Sequence, residues 1–201
     1  MARPREFDEA AVLDAAVACF WGRGFSATSV RDLAGEMGLA GASLYNAFGD
    51  KRALFRRALE TYVEQGIGAR IARLADLPPR AALEGFFAEV VEKSLTDADR
   101  RGCMLINAAA EITSDDPELR TAVADVLSWI EAYFRSQAAA AQAEGTISAH
   151  LSAEDVARLL LCSLIGLRVL ARSRPEPQLL RGALRAAFSV FDAPPQPETT
   201  P

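Results

Sequence analysis

The chain has 201 residues, half of them apolar, and a formal net charge of −5; this is enough apolar material for a buried core, while Arg, Glu, Ser or Gly interrupts every long apolar run before it reaches membrane-spanning length. Three widely spaced cysteines, Cys19, Cys103 and Cys162, and a single histidine, His150, supply neither a disulfide framework nor a zinc ligand set, so reduced thiols and no metal or cofactor are expected. The first residues lack the apolar stretch of a signal peptide, and a cytoplasmic protein is expected.

Almost every segment repeats its apolar residues with a helical period and none alternates like a strand, so an all-α fold of about nine helices is expected. The first helix is predicted over 8–23, where Val12, Leu13, Ala16, Val17, Phe20 and Trp21 share a face and Gly22 and Gly24 close it. Phe25 then returns to the core. A short helix follows over 29–37, opened by Thr28 or Ser29 with the Ser29–Asp32 spacing of a capping box and ended by Gly38. A second short helix covers 41–47. Gly49-Asp50 turns the chain into a longer helix from Lys51, with Leu54, Phe55, Ala58, Leu59, Tyr62 and Val63 along one side. Beyond Leu77-Pro78-Pro79, helices are expected over 80–96, 102–113 and 117–144, the last stopped by Gly145. Two final helices, over 153–173 and 176–191, are parted by Arg174-Pro175, and the Pro-rich tail 193–201 is expected to be disordered.

Residues 33–47 have what a helix-turn-helix requires: Ala34 where two short helices cross, Gly38 in a turn that needs positive φ, and Leu33, Met37, Leu39 and Leu44 to lock the pair. Any small-residue helical hairpin shares this spacing, so charge is the next guide. Residues 22–57 carry a net +3, which leaves −8 on the rest of the chain; a local basic patch is what phosphates meet, whatever the overall charge.

In the same stretch Gly24-Phe25 follows the first helix, Thr28 precedes Val30-Arg31-Asp32-Leu33-Ala34, and Ser43-Leu44-Tyr45 leads to Phe48 and Lys51. Together these residues make 12–59 resemble the N-terminal domain of TetR-family transcriptional regulators. The resemblance implies a DNA-binding domain over 1–50 and a helical effector-binding and dimerisation domain over 51–192. It further implies that the helix over 41–47 enters the major groove, with Ala42 and Ser43 at base edges and Ala42 against a thymine methyl. Tyr45 and Lys51 are implied phosphate ligands, Thr28 and Arg31 backbone contacts beside them, with Arg31 within possible reach of a guanine; Asn46 completes the DNA-facing set. Ala40 departs from the family pattern where a capping Ser is common, Asn46 where His is frequent, and Ala47 where an aromatic is frequent.

Such a regulator needs an effector cavity with apolar walls and few polar groups, for which Phe86, Phe87, Cys103, Met104, Asn107, Trp129 and Tyr133 are candidates. The stretch from Val156 to Arg172 is apolar around most of its circumference, so a second copy of the chain is expected to cover one face. Leu160, Ser163, Leu164, Gly166 and Leu167, with Leu184 and Phe188 of the last helix, are the candidate dimer residues. The expected partners are therefore a pseudo-palindromic double-stranded DNA, a second copy of the chain and a small, apolar effector, with no membrane. Gly102-Cys103-Met104 also resembles a pattern in electrophile-responsive members, so control by cysteine oxidation or by a protein partner is the alternative. Catalysis is not expected: the chain has no GxSxG or Walker loop, and Gly22-x-Gly24-x-x-Ala27 follows a helix where a dinucleotide fingerprint follows a strand.

Overall fold

The computed structural model describes residues 8–113 and 116–192; the predicted tail 193–201 lies outside them. These residues form α1 (Glu9–Arg23), α2 (Val30–Met37), α3 (Gly41–Phe48), α4 (Lys51–Val63), α5 (Ala69–Arg73), α6 (Pro79–Thr96), α7 (Met104–Glu111), α8 (Pro117–Ala143), α9 (Ala153–Ser173) and α10 (Pro177–Ser189). A π turn, Glu64–Gly68, joins α4 to α5 without a break, so the described fold amounts to nine helices and no strand, an all-α architecture.

Local chemistry sets the helix starts. Asp8 accepts from the Ala10 and Ala11 amides at α1, Asp50 from Ala53 at α4, and Ser152 from Asp155 at α9. Ser29 and Asp32 form the complete capping box of α2, and hydrogen bonding from Ser29 holds the Asp32 carboxyl below its ordinary range. Gly38, at φ 64°, ends α2 in the left-handed region. Expectation and structure differ at α7, which begins at Met104 because Gly102 has φ 72° and Cys103 is the extended N-cap.

Two compact units result. The first, whose described residues fall within 8–69, 103–113 and 116–123, reaches beyond the segment 1–50. In it α1 packs on α2 and α4, and α7 packs on α1 and α4. Phe55 meets Phe20 and Phe25 edge-on at 4.9 and 5.0 Å, and Leu33, Leu44 and Phe48 fasten α2 and α3 to this core.

The second unit, whose described residues are 70–102 and 124–192, packs α9 on α6 and α10. Phe86, Phe87, Phe134, Phe188 and Phe191 form a buried ring cluster with centroids 5.2 to 5.7 Å apart. Two arginines of this unit are also buried. Arg70 lies over the Phe86 ring and donates to Glu89, and Arg168 donates to Ser94 Oγ and the Gly102 carbonyl.

This packing corrects the expected dimer residues. Leu160, Leu164, Leu167 and Phe188 are buried within their own unit, because α9 turns its densest apolar stripe toward α6 and α10. Ser163 and Leu184 are half-buried, and only Gly166 of the set is exposed. The outward stripe of α9 is instead Leu159, Cys162, Gly166 and Val169, with Val169 53% exposed. Among the described residues no helix is long and apolar enough to cross a membrane.

Candidate nucleic-acid interface

The surface around α3 is assembled from short elements with small side chains. Ala40, the N-cap of α3, makes no side-chain capping bond, so the first amides of the helix remain available to an external acceptor. Ala42, Ser43, Tyr45 and Asn46 are exposed on this helix, Tyr45 at 49%. On the opposite face Leu44 and Phe48 are buried, which fixes the outward direction of the others.

Lys51 opens α4. Its Nζ lies 4.3 Å from the Phe25 ring centroid, and burial lowers its pKa while the Glu111 carboxylate acts in the opposite sense. Arg31 is exposed at the start of α2. Thr28 departs from expectation: it is 1% exposed and its hydroxyl donates to the Gly24 carbonyl at 2.6 Å. Its side chain is thus a packing group that closes the α1–α2 loop, with no free hydroxyl proton for a phosphate.

Ion pairing thins the basic patch. Arg23 is paired with Asp32 and Glu36, Arg52 with Asp116, and Arg57 with Glu9. Within the basic stretch 22–57, Arg31, Lys51 and Arg56 make no such pair, so they are the cations this patch offers an anionic partner. Arg56, five residues past Lys51 on α4, is absent from the residues singled out in the sequence; only the pairing of its neighbours distinguishes it.

The candidate effector residues separate. Phe86 and Phe87 are fully buried members of the ring cluster, so they act as core. Trp129 is 43% exposed, the behaviour of a surface ring and not of a cavity wall. Tyr133 is half-buried, and burial raises its pKa. On α7 Met104 is buried and Asn107 half-buried, and Asn107 is not without a partner. Cys103 is buried at the N-cap of α7, 3.6 Å from the Tyr62 hydroxyl. In the first unit a crevice of about 100 Å³ lies beside the Arg52–Asp116 pair, lined by Phe25, Phe55 and Leu119 among others; that is room for a few waters.

A buried three-helix core that presents a short, outward-facing helix, flanked by unpaired cations and followed by a larger helical unit, defines a helix-turn-helix regulator. Residues 12–58 match the family model for bacterial regulatory proteins of the tetR family, and residues 79–187 match the tetracyclin repressor-like C-terminal domain. The chain belongs to the TetR family of transcriptional regulators, which are DNA-binding factors and not enzymes. It is 33% identical over 199 residues to the uncharacterized HTH-type transcriptional regulator YezE of Bacillus subtilis (strain 168), covering 96% of this chain and all of that one. The HTH-type transcriptional repressor ComR of Escherichia coli (strain K12) is 28% identical over 172 residues, 85% of this chain and 82% of its own. A structure of a cysteine mutant of the TetR family regulator CifR with 26-bp double-strand operator DNA superposes with a TM-score of 0.84 at 30% identity, over 94% of this chain and 100% of that one.

Proposed function

We propose that the chain is a homodimeric repressor whose two heads read a pseudo-palindromic DNA through α3 and which a small, apolar effector releases. The observation that carries this reading is the bare N-terminal turn of α3: exposed Ala42 and Ser43, an uncapped backbone, and Tyr45 and Lys51 beside it. Small side chains let backbone and Cβ approach base edges, while Tyr45, Arg31, Lys51 and Arg56 contact phosphates. Asn46 lies at the edge of the same surface. Dimerisation uses the outward stripe of α9, Leu159, Cys162, Gly166 and Val169, and sets two heads one helical turn of DNA apart, or a multiple of it. The related regulators that are named repressors and the operator complex of CifR support the same reading.

Selection of bound sequences from a random duplex pool tests it. The expected result is a two-fold symmetric motif; enrichment of no motif overturns the reading. The effector acts through α7, where Met104 and Asn107 lie one turn apart, and shifts the DNA-bound population by its differential affinity for two states.

A second reading, control through Cys103 chemistry, is favoured by one contact: the Tyr62 hydroxyl donates to Cys103 Sγ at the N-cap of α7. Under it, a mild alkylating electrophile releases the wild-type protein from DNA while Cys103→Ser stays bound. Equal release of both selects the reversible effector.

A further inference from the structure

Among the described residues, the end of α7 and the residue before α8 carry carboxylates that the reading above does not use, Glu111 and Asp116. Glu111 is the last residue of α7, and its Oε2 accepts a hydrogen bond of 2.8 Å from the Ser26 amide, 85 residues away in sequence. The approach depends on Gly24: at φ 85°, a Cβ there would sit 2.3 Å from Glu111 Oε1. Asp116 stands just before α8. Its Oδ2 accepts from Arg52 Nε at 2.8 Å while Oδ1 accepts from the Leu119 amide at 3.1 Å, so the buried carboxylate is held from both sides.

Ser26 and Arg52 bracket the helix-turn-helix. Ser26 lies in the loop before α2, and Arg52 in the first turn of the helix after α3. The cap of α3 is empty and only Leu44 and Phe48 of that helix are buried, so its orientation relies on what fixes the two ends of the motif. Glu111 also acts on the charge of Lys51, the residue that opens α4.

We propose that Glu111 and Asp116 are positioning residues for DNA reading, a two-point carboxylate clamp that holds the entrance and the exit of the helix-turn-helix in the geometry that fits the groove. Neither touches DNA. A hydrogen bond from the chain to a carboxylate, once lost, costs about tenfold in an equilibrium constant, and here that loss falls on the fraction of heads in the reading geometry.

The inference rests on the DNA-reading function proposed above, and the test separates the two. Operator affinity is measured across a salt series for wild type, Glu111→Ala and Glu111→Gln, with thermal melting as a control for folding. Glu111→Ala is expected to weaken binding about tenfold with an unchanged salt slope, since no phosphate contact is removed. Glu111→Gln keeps an oxygen that accepts from Ser26 and is expected to bind within about twofold of wild type. Arg52→Gln breaks the other half and is likewise expected to weaken binding with the slope intact. Wild-type or tighter binding by Glu111→Ala, an equal loss in Glu111→Gln, or a slope reduced by about one in Arg52→Gln overturns the clamp; the last would make Arg52 a phosphate contact. Exchange of the Ser26 amide hydrogen, followed without DNA, is expected to accelerate in Glu111→Ala only. If the wild-type chain binds no operator, that exchange still decides whether the clamp exists.

Discussion

Both units of this chain pair arginines with carboxylates at the surface, but among the described residues only the second also buries guanidinium groups. The first ties its arginines to carboxylates at the surface, Arg23 to Asp32 and Glu36 and Arg57 to Glu9, and leaves a few cations unpaired around a helix with only two buried side chains. In the second, Arg70 lies over Phe86, one of a cluster of five phenylalanines, and Arg168 reaches Ser94 and the Gly102 carbonyl. Burial secures the second unit, and capping and pairing organise the reading face of the first. A substitution should therefore register as stability in one unit and as affinity in the other.

The sharpest separation is expected from Phe87→Ala. Phe87 is fully buried between Phe134 and Phe188, and its loss should cost about 3–5 kcal/mol of stability, read by denaturant unfolding. An unfolding midpoint like that of wild type would show that the ring cluster is not what holds the unit. Gly166→Glu comes next. The position is exposed on α9 with nothing within 4 Å of an added Cβ, so the monomer should lose no stability, whereas a dimer seam cannot hydrate two facing carboxylates. Light scattering should report a monomer, and operator affinity should fall on the order of 100-fold as the two heads lose their linkage. A dimer that survives would place the interface elsewhere.

Lys51→Ala and Tyr45→Phe test the other side of the contrast. Each should weaken operator binding by about 1–2 kcal/mol through a lost phosphate contact, with melting temperature and base preference nearly unchanged. Gel-shift titrations matching wild type would take both off the contact surface. The smallest effect concerns pH. Asp32 has its pKa lowered in the fold by Ser29, so the capping box stabilises α2 above the ordinary carboxylate pKa and loosens as pH falls through the lowered value. Protection of the α2 amides, measured relative to their intrinsic exchange rate at each pH, should fall in acid for wild type but not for Asp32→Asn; the same acid response in both would assign it to another group.

What the sequence discloses follows the same division. Asp8, Ser29, Asp50 and Ser152 cap helices within a few residues of themselves, and the helix starts were readable to within one or two positions for that reason. Which face a helix turns inward is not local. The apolar run of α9 has no polar side to orient it, so Leu160, Leu164 and Leu167 look as fit for a partner as for the core until α6 and α10 are in place. Thr28 offered no cue to its inward turn, because the acceptor is a backbone carbonyl, and Trp129 none to its exposure. Glu111 and Asp116 stay silent in the sequence for a plainer reason: their partners lie 85 and 64 residues away.

The alanine at the N-cap of α3 carries a consequence for how this head answers to its target. A helix without its own cap is finished from outside, by water when free; if the operator backbone takes that place on binding, as the proposed reading mode requires, operator affinity and the local stability of α3 are linked quantities. Ala40→Ser would give the free helix an internal acceptor, a gain of about 1 kcal/mol. The same serine would leave the operator less to complete. The native residue keeps the reading helix dependent on its target, and that dependence turns part of the helix's own folding into discrimination between a duplex that fits and one that does not.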